Sequence, residues 1–151
     1  MTISINFATV ANSIKSLSVS GVNMLNIDQI PQSGSLVLPV VFPQPNGWLD
    51  NVNPIAQSLG SNGTEKMDFS YTLHYVFLYA EAGSGISQTD PIAPMLAKLE
   101  LIVETILNND AITGLVDMRL NGIEGVGRIQ DVSGNDYWGA LFSLRCMEFA
   151  Q

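Results

Sequence analysis

The sequence predicts an α+β fold: a mostly antiparallel β-sheet with two main helices packed on one face, in the order α-β-β-β-α-β-β. Three observations predict it. Near the N-terminus, apolar residues recur at helical steps of 4, 3, 4 and 3. From Glu65 to Ala80 they recur at every second residue, the period of a strand. From Ile92 to Leu107 the helical period returns, and shorter alternating runs follow it. Strands grouped in runs between single helices indicate helices laid on one face of an antiparallel sheet.

Ile3, Phe7, Val10, Ile14 and Leu17 form the first stripe, a helix of about four turns. Ser4 or Asn6 is placed to cap it, and Gly21 lies just beyond its end. An isolated helix of this length is marginal in water, so it must dock. Met24 to Ile30 reads as a short strand that Pro31 and Gly34 end. Leu36 to Phe42 reads as a second strand, and Pro39 inside it removes a ladder donor, which suits an edge or a bulge. Residues 43–63 read as a long loop anchored by Trp48, Leu49, Val52, Ile55 and Leu59.

Met67, Phe69, Tyr71, Leu73, Tyr75, Phe77 and Tyr79 then alternate with Asp68, Ser70, Thr72 and His74, before Val76 and Leu78 make the second face apolar too. The first half of this strand is therefore buried on one face. The second half is either sheet centre or subunit interface. A Gly-Ser loop spans Gly83 to Thr89, and Asp90-Pro91 reads as a cap with proline at the first helical position. The second helix buries Ile92, Met95, Leu96, Leu99, Ile102, Val103, Ile106 and Leu107 and turns Lys98, Glu100 and Glu104 outward. Asn108-Asn109-Asp110 ends it. Leu115 to Leu120 alternates as a half-buried strand, Gly122, Gly125 and Gly127 interrupt the pattern as a hairpin or bulge, and Tyr137 to Phe149 is a final long strand after the turn at 133–136.

The 151-residue chain carries 6 basic and 14 acidic side chains, a net charge of −8, and only 13% of its residues are charged. Soluble domains typically carry roughly 25%. Forty Asn, Ser, Gln and Thr residues fill the gap. The length fits one domain, residues 1–151, and no span or leader is legible, so an unanchored intracellular protein is expected. Scattered cations on an acidic chain argue against a general nucleic-acid binder, which needs a basic face. A single cysteine excludes an intrachain disulfide framework and multi-cysteine metal sites.

Chemistry is sparse. His74, the lone histidine, reads as a hydrogen-bonded sheet residue rather than a general base. Cys146, between apolar neighbours, reads as a buried thiol rather than a nucleophile. The glycines from Gly122 to Gly127 lack the Lys-Ser/Thr pair and the following helix of a phosphate loop. No catalytic, cofactor or metal site is expected, and the chain reads as a non-enzyme.

The order of elements resembles that of the tail terminator and neck proteins of long-tailed bacteriophages. The resemblance rests on the N-terminal helix, the Leu36-Val37-Leu38-Pro39 strand, and the aromatic strand from Tyr71 to Tyr79. It extends to the helix around Met95-Leu96-Ala97-Lys98-Leu99, Asn108-Asn109-Asp110, and the closing run from Tyr137 to Leu144. It implies a structural virion protein, assembled in the host cytoplasm as a ring (of six subunits in this family) at the head–tail junction. The terminator that ends tube growth is the first reading, and a head-completion stopper of the neck the second. Its partners would be further copies, the tail-tube protein and the connector proteins, with DNA passing through unbound and no membrane involved. The ring-interface candidates are Trp48, Leu49, Tyr75, Phe77, Tyr79, Tyr137 and Trp138. A reading of another class is a small-ligand domain, with a pocket between the aromatic strand and the second helix.

Overall fold

A computed structural model of the chain describes residues 6–29, 37–59, 65–82, 92–109, 116–130 and 134–148. The fold is α+β, and the described residues form two α-helices and a six-stranded, mostly antiparallel sheet. The elements are α1 (Phe7–Lys15), β1 (Asn23–Met24), a 3₁₀ turn (Ile27–Gln29), β2 (Val40–Pro43), β3 (Leu49–Leu59), β4 (Glu65–Glu81), α2 (Ile92–Leu107), β5 (Asp117–Gln130) and β6 (Asp136–Glu148). The predicted Gly83–Thr89 loop and Asp90-Pro91 cap lie outside the described residues, as do Ile3, Asp110 and Phe149.

The sheet runs β1-β2-β4-β6-β5, and β3 also pairs with β4. β4 organises it. Its 17 residues span about 58 Å at about 3.4 Å each. β6 pairs along one side of it, from Phe69 to Glu81. β2 and β3 share the other side, β2 against Tyr75 to Leu78 and β3 against Glu65 to Leu73.

This corrects the expectation of a loop over residues 43–63. Most of that segment is β3, so the order is α-β-β-β-β-α-β-β. β2 and β3 run in the same direction along one edge of β4, so together they form one interrupted strand. The interruption centres on His74. The Gln44 N–H donates to the His74 carbonyl (2.9 Å), and the His74 N–H donates to the Trp48 carbonyl (2.8 Å). Residues between them leave the sheet and return, and Pro45 has no N–H to lose by leaving. β3 is irregular. Asn51 has φ of 52°, and the register shifts between Asp50 and Asn53 and again between Pro54 and Ala56. A strand with a proline and two shifts belongs at an edge.

Two further boundaries move. The strand expected from Leu36 starts only at Val40, after a cis Leu38–Pro39 bond, and the one expected over Met24 to Ile30 is two residues followed by the 3₁₀ turn. The glycines after Leu120 do not end a strand. β5 continues through them to Gln130, with register shifts between Leu120 and Gly122 and between Glu124 and Gly127. β5 and β6 form the expected hairpin.

Alternation along β4 fixes the layers. Phe69, Tyr71, Leu73, Tyr75 and Phe77 point to the helix side, where they meet Ala140, Phe142, Leu144 and Cys146 of β6. Val10 and Ile14 of α1 and Met95, Leu99, Ile102, Val103 and Ile106 of α2 close that core, so both helices pack on one face as predicted. Burial of side chains this size contributes about 1.5–3 kcal/mol each. Phe7 anchors α1 edge-on against Tyr71, with ring centroids 4.7 Å apart. Tyr75 and Phe142 stack directly across the strands. On the reverse face, Val76 and Leu78 pack with Val40, Phe42 and Tyr137 in a smaller cluster. The doubly apolar half of β4 is therefore sheet centre.

Gly139 shows how tightly the middle strands meet. A Cβ built there would run into the Phe77 carbonyl oxygen on β4. Only glycine lets the two backbones approach this closely.

Candidate functional site

The residues singled out from the sequence separate into three groups. The first contains the chemical candidates, His74 and Cys146. They stand on opposite faces of the sheet. His74 is half-buried on the reverse face, with Nε2 3.6 Å from Asp50 Oδ2. Cys146 is fully buried on the helix side, directly across from Tyr71. The two cannot act on one substrate atom. Cys146 is also a poor nucleophile. Burial first, and the Glu148 charge second, push its thiol from the ordinary 9.0 up to about 12, with a hydrogen bond from Tyr71 opposing.

Sequence reading missed Glu148, the only buried carboxylate among the described residues. Its oxygens accept the Asn6 N–H at 3.2 and 3.4 Å, and Oε1 also accepts the Tyr71 hydroxyl at 3.3 Å. Asn6 is the N-cap of α1 yet makes no cap bond with its own side chain. The backbone N–H of Asn6 is taken up instead by a carboxylate 142 residues downstream in sequence. Negative charge at a helix N-terminus is favourable. No cation pairs with Glu148 among the described residues. Burial therefore raises its carboxyl above the ordinary value, while the Asn6 N–H and the Tyr71 O–H act against the rise. Tyr71 itself is held well above the usual phenol range, chiefly by burial. This cluster ties α1 to the end of β6. No local signal marks it, because the partners come from both ends of the chain.

The second group is the proposed ring interface. Tyr75, Phe77 and Tyr137 are 1%, 0% and 3% exposed, so they lie inside the chain and cannot face a neighbour; this corrects the expectation for those three. Trp48, Leu49, Tyr79 and Trp138 pack partly buried against the helix-side core. The Arg128 guanidinium lies over the Trp138 ring at 5.3 Å from its centroid. Trp48 Nε1 and Tyr75 Oη are buried together, with no well-formed hydrogen bond to another group among the described residues. The aromatic signal thus marks the core, and the strand's period is satisfied internally.

The apolar surface lies elsewhere. Leu120, Ile123 and Val126 on β5 are 40%, 41% and 43% exposed, and Leu96 and Leu101 on α2 are 37% and 39% exposed. Between β4 and α2, where a pocket was expected, buried side chains of both elements fill the space. An open groove of about 450 Å³ lies along α1, lined by Thr9, Asn12, Ser13, Ser16 and Leu17 with Asn109. Among the described residues, no three His, Cys, Asp or Glu side chains come together as metal ligands, and no helix is long and apolar enough to cross a membrane.

Part of the uncharged polar composition has a local use. Asn23 Nδ2 donates to the Val37 carbonyl, Gln44 Nε2 to the Asn46 carbonyl and Asn53 Nδ2 to the Asn51 carbonyl. Asn26 Nδ2 donates to Asn12 Oδ1 at 2.8 Å, tying the 3₁₀ turn region to α1. The first two amides satisfy connecting backbone and the third the irregular stretch of β3, none of it reached by the sheet ladder.

No protein-family model matches the chain, and no curated protein matches it.

Proposed function

We propose that the chain is a non-enzymatic structural protein of a phage-like tail: a terminator that assembles as a ring, ends tube growth and joins the tail to the head. One observation carries the reading. The chain buries its aromatic strand in its own core yet leaves five large apolar side chains of β5 and α2 more than a third exposed. Exposed apolar surface on a chain this poor in charge favours association. The order of helix, long antiparallel strand, helix and hairpin is the order on which the resemblance rests. The acidic balance of −8 suits a channel through which DNA passes without sticking.

Size-exclusion chromatography with light scattering tests it. A closed ring of several subunits is the expected result, in solution or on purified tail tubes. A chain that stays a monomer in both settings would count decisively against it. His74→Ala and Cys146→Ala should leave assembly intact, and loss of assembly in a folded variant would revive a chemical role. A head-completion protein of the neck is the nearest variant of the reading, distinguished by binding the connector instead of the tube. The groove along α1 is the one observation favouring a small-ligand domain, and a ligand-induced rise in melting temperature, lost in Asn12→Leu, would support it.

A further inference from the structure

We infer that β5 of one copy packs against the outward face of α2 in the next copy, so that the ring closes through a head-to-tail contact. This rests on the ring reading and names the surfaces that reading leaves open.

β5 is an edge strand with nothing on its outer side among the described residues. Its register places Leu120 and Ile123 opposite Leu144 and Phe142, on the helix-bearing side of the sheet, and Arg128 opposite Trp138. Directly opposed residues share a face. This side of β5 therefore offers two exposed aliphatic side chains and an arginine, with Val126 exposed in the bulge beside them. The strand does not offer a flat backbone edge. It is broken twice, and Gly125 and Gly127 have φ of 61° and 144°. Such bulges discourage strand addition, so a partner would meet side chains.

The outward face of α2 is complementary. Leu96 and Leu101 are exposed, and Glu100 and Glu104 stand one turn apart between and beyond them. The helix has one cation, Lys98, and it is turned away to donate to the Ser20 carbonyl at 2.6 Å. One surface thus joins aliphatic side chains to an arginine, and the other joins leucines to two carboxylates. Both belong to the same chain at different places. A contact between unlike patches on identical copies is heterologous, and a heterologous contact that closes gives a ring. A second copy fits both patches at once, whereas an unrelated partner would explain only one of them.

The experiment uses the full chain in four forms: wild type, Ile123→Asp, Arg128→Glu, and Glu100→Arg with Glu104→Arg. Ring mass is measured by light scattering and folding by thermal melting. The expected result is a ring for the wild type and single chains for each variant, with every variant melting in one cooperative transition that shows it folded. An equimolar mixture of Arg128→Glu with the Glu100→Arg, Glu104→Arg chain should regain ring mass, because each then meets an opposite charge. A variant that melts early is replaced by Ile123→Ser or Arg128→Gln at the same site. Rings that persist in all variants would overturn the contact while leaving the ring reading intact. A wild type that never assembles would overturn both. Variants that assemble normally but lose binding to the tube would assign the patch to the tube protein instead and overturn the inference.

Discussion

The Glu148 cluster gives the most discriminating stability prediction. Glu148→Ala leaves the Asn6 N–H and the Tyr71 hydroxyl without their acceptor. An orphaned buried donor costs about 1–3 kcal/mol; the Tyr71 hydroxyl is buried and the Asn6 N–H part-buried, so the two together cost about 2–5 kcal/mol. Removing a buried carboxylate that ionises reluctantly offsets part of that, leaving about 3 kcal/mol. For a chain of this size the melting midpoint should fall by about 6–12 °C. Glu148→Gln separates the two contributions, since it keeps an acceptor and cannot ionise. Burial raises the native carboxyl above its ordinary 4.5, so the native state keeps a proton that the unfolded chain releases. The stability this contributes is fully present below pH 4.5 and is lost as pH rises through the native value. Urea unfolding from pH 4 to 8 should therefore show wild-type stability falling relative to Glu148→Gln as pH rises. A Glu148→Ala variant within about 0.5 kcal/mol of wild type, or a relative pH slope of opposite sign, would refute the reasoning.

Gly139→Ala should destabilise by about 2–3 kcal/mol or prevent folding, because the new methyl meets the Phe77 carbonyl and neither strand can yield; urea denaturation checks it. Tyr75→Phe removes a buried hydroxyl paired only weakly with the Trp48 indole, so it should change stability by less than about 1 kcal/mol, in either direction, in the same assay. Cys146 should resist thiol reagents in the native state and react on unfolding, in a labelling time course with and without urea. Its thiol is raised from 9.0 to about 12, so the stability it contributes is present below pH 9 and falls as pH rises above it, visible as alkaline loss of melting temperature that Cys146→Ala reduces.

Both helices and the strands β4 and β6 were legible because each carries its own signal over one continuous segment. The β4 alternation and the 3- and 4-residue steps of α2 are signals of one segment, needing no partner to be read. β3 was not legible. Its sequence, Leu-Asp-Asn-Val-Asn-Pro-Ile-Ala-Gln-Ser-Leu, has no alternation, and Pro54 argues against a strand. It is a strand because half of one side of β4 would otherwise lack hydrogen-bond partners. The aromatic residues of β4 misled for a related reason. A strand apolar on both faces can serve an interface or a sheet centre, and the clusters on both sides of β4 decide between them. On the surface, Leu120 read as the end of a half-buried strand and Ile123 and Val126 fell in the stretch that glycines interrupt, and only the position of β5 at the edge leaves all three exposed.

By itself, then, the sequence determined the α+β class, the two amphipathic helices, the long central strand and the shortage of charge. Each follows from composition or from periodicity within a few turns of one segment. The tertiary structure alone decided that β2 and β3 form one interrupted strand about His74. It alone placed Glu148 under the start of α1 and enclosed Tyr75, Phe77 and Tyr137. Those outcomes depend on groups far apart in the chain satisfying one another's hydrogen bonds and buried area, and local pattern carries no record of such partners.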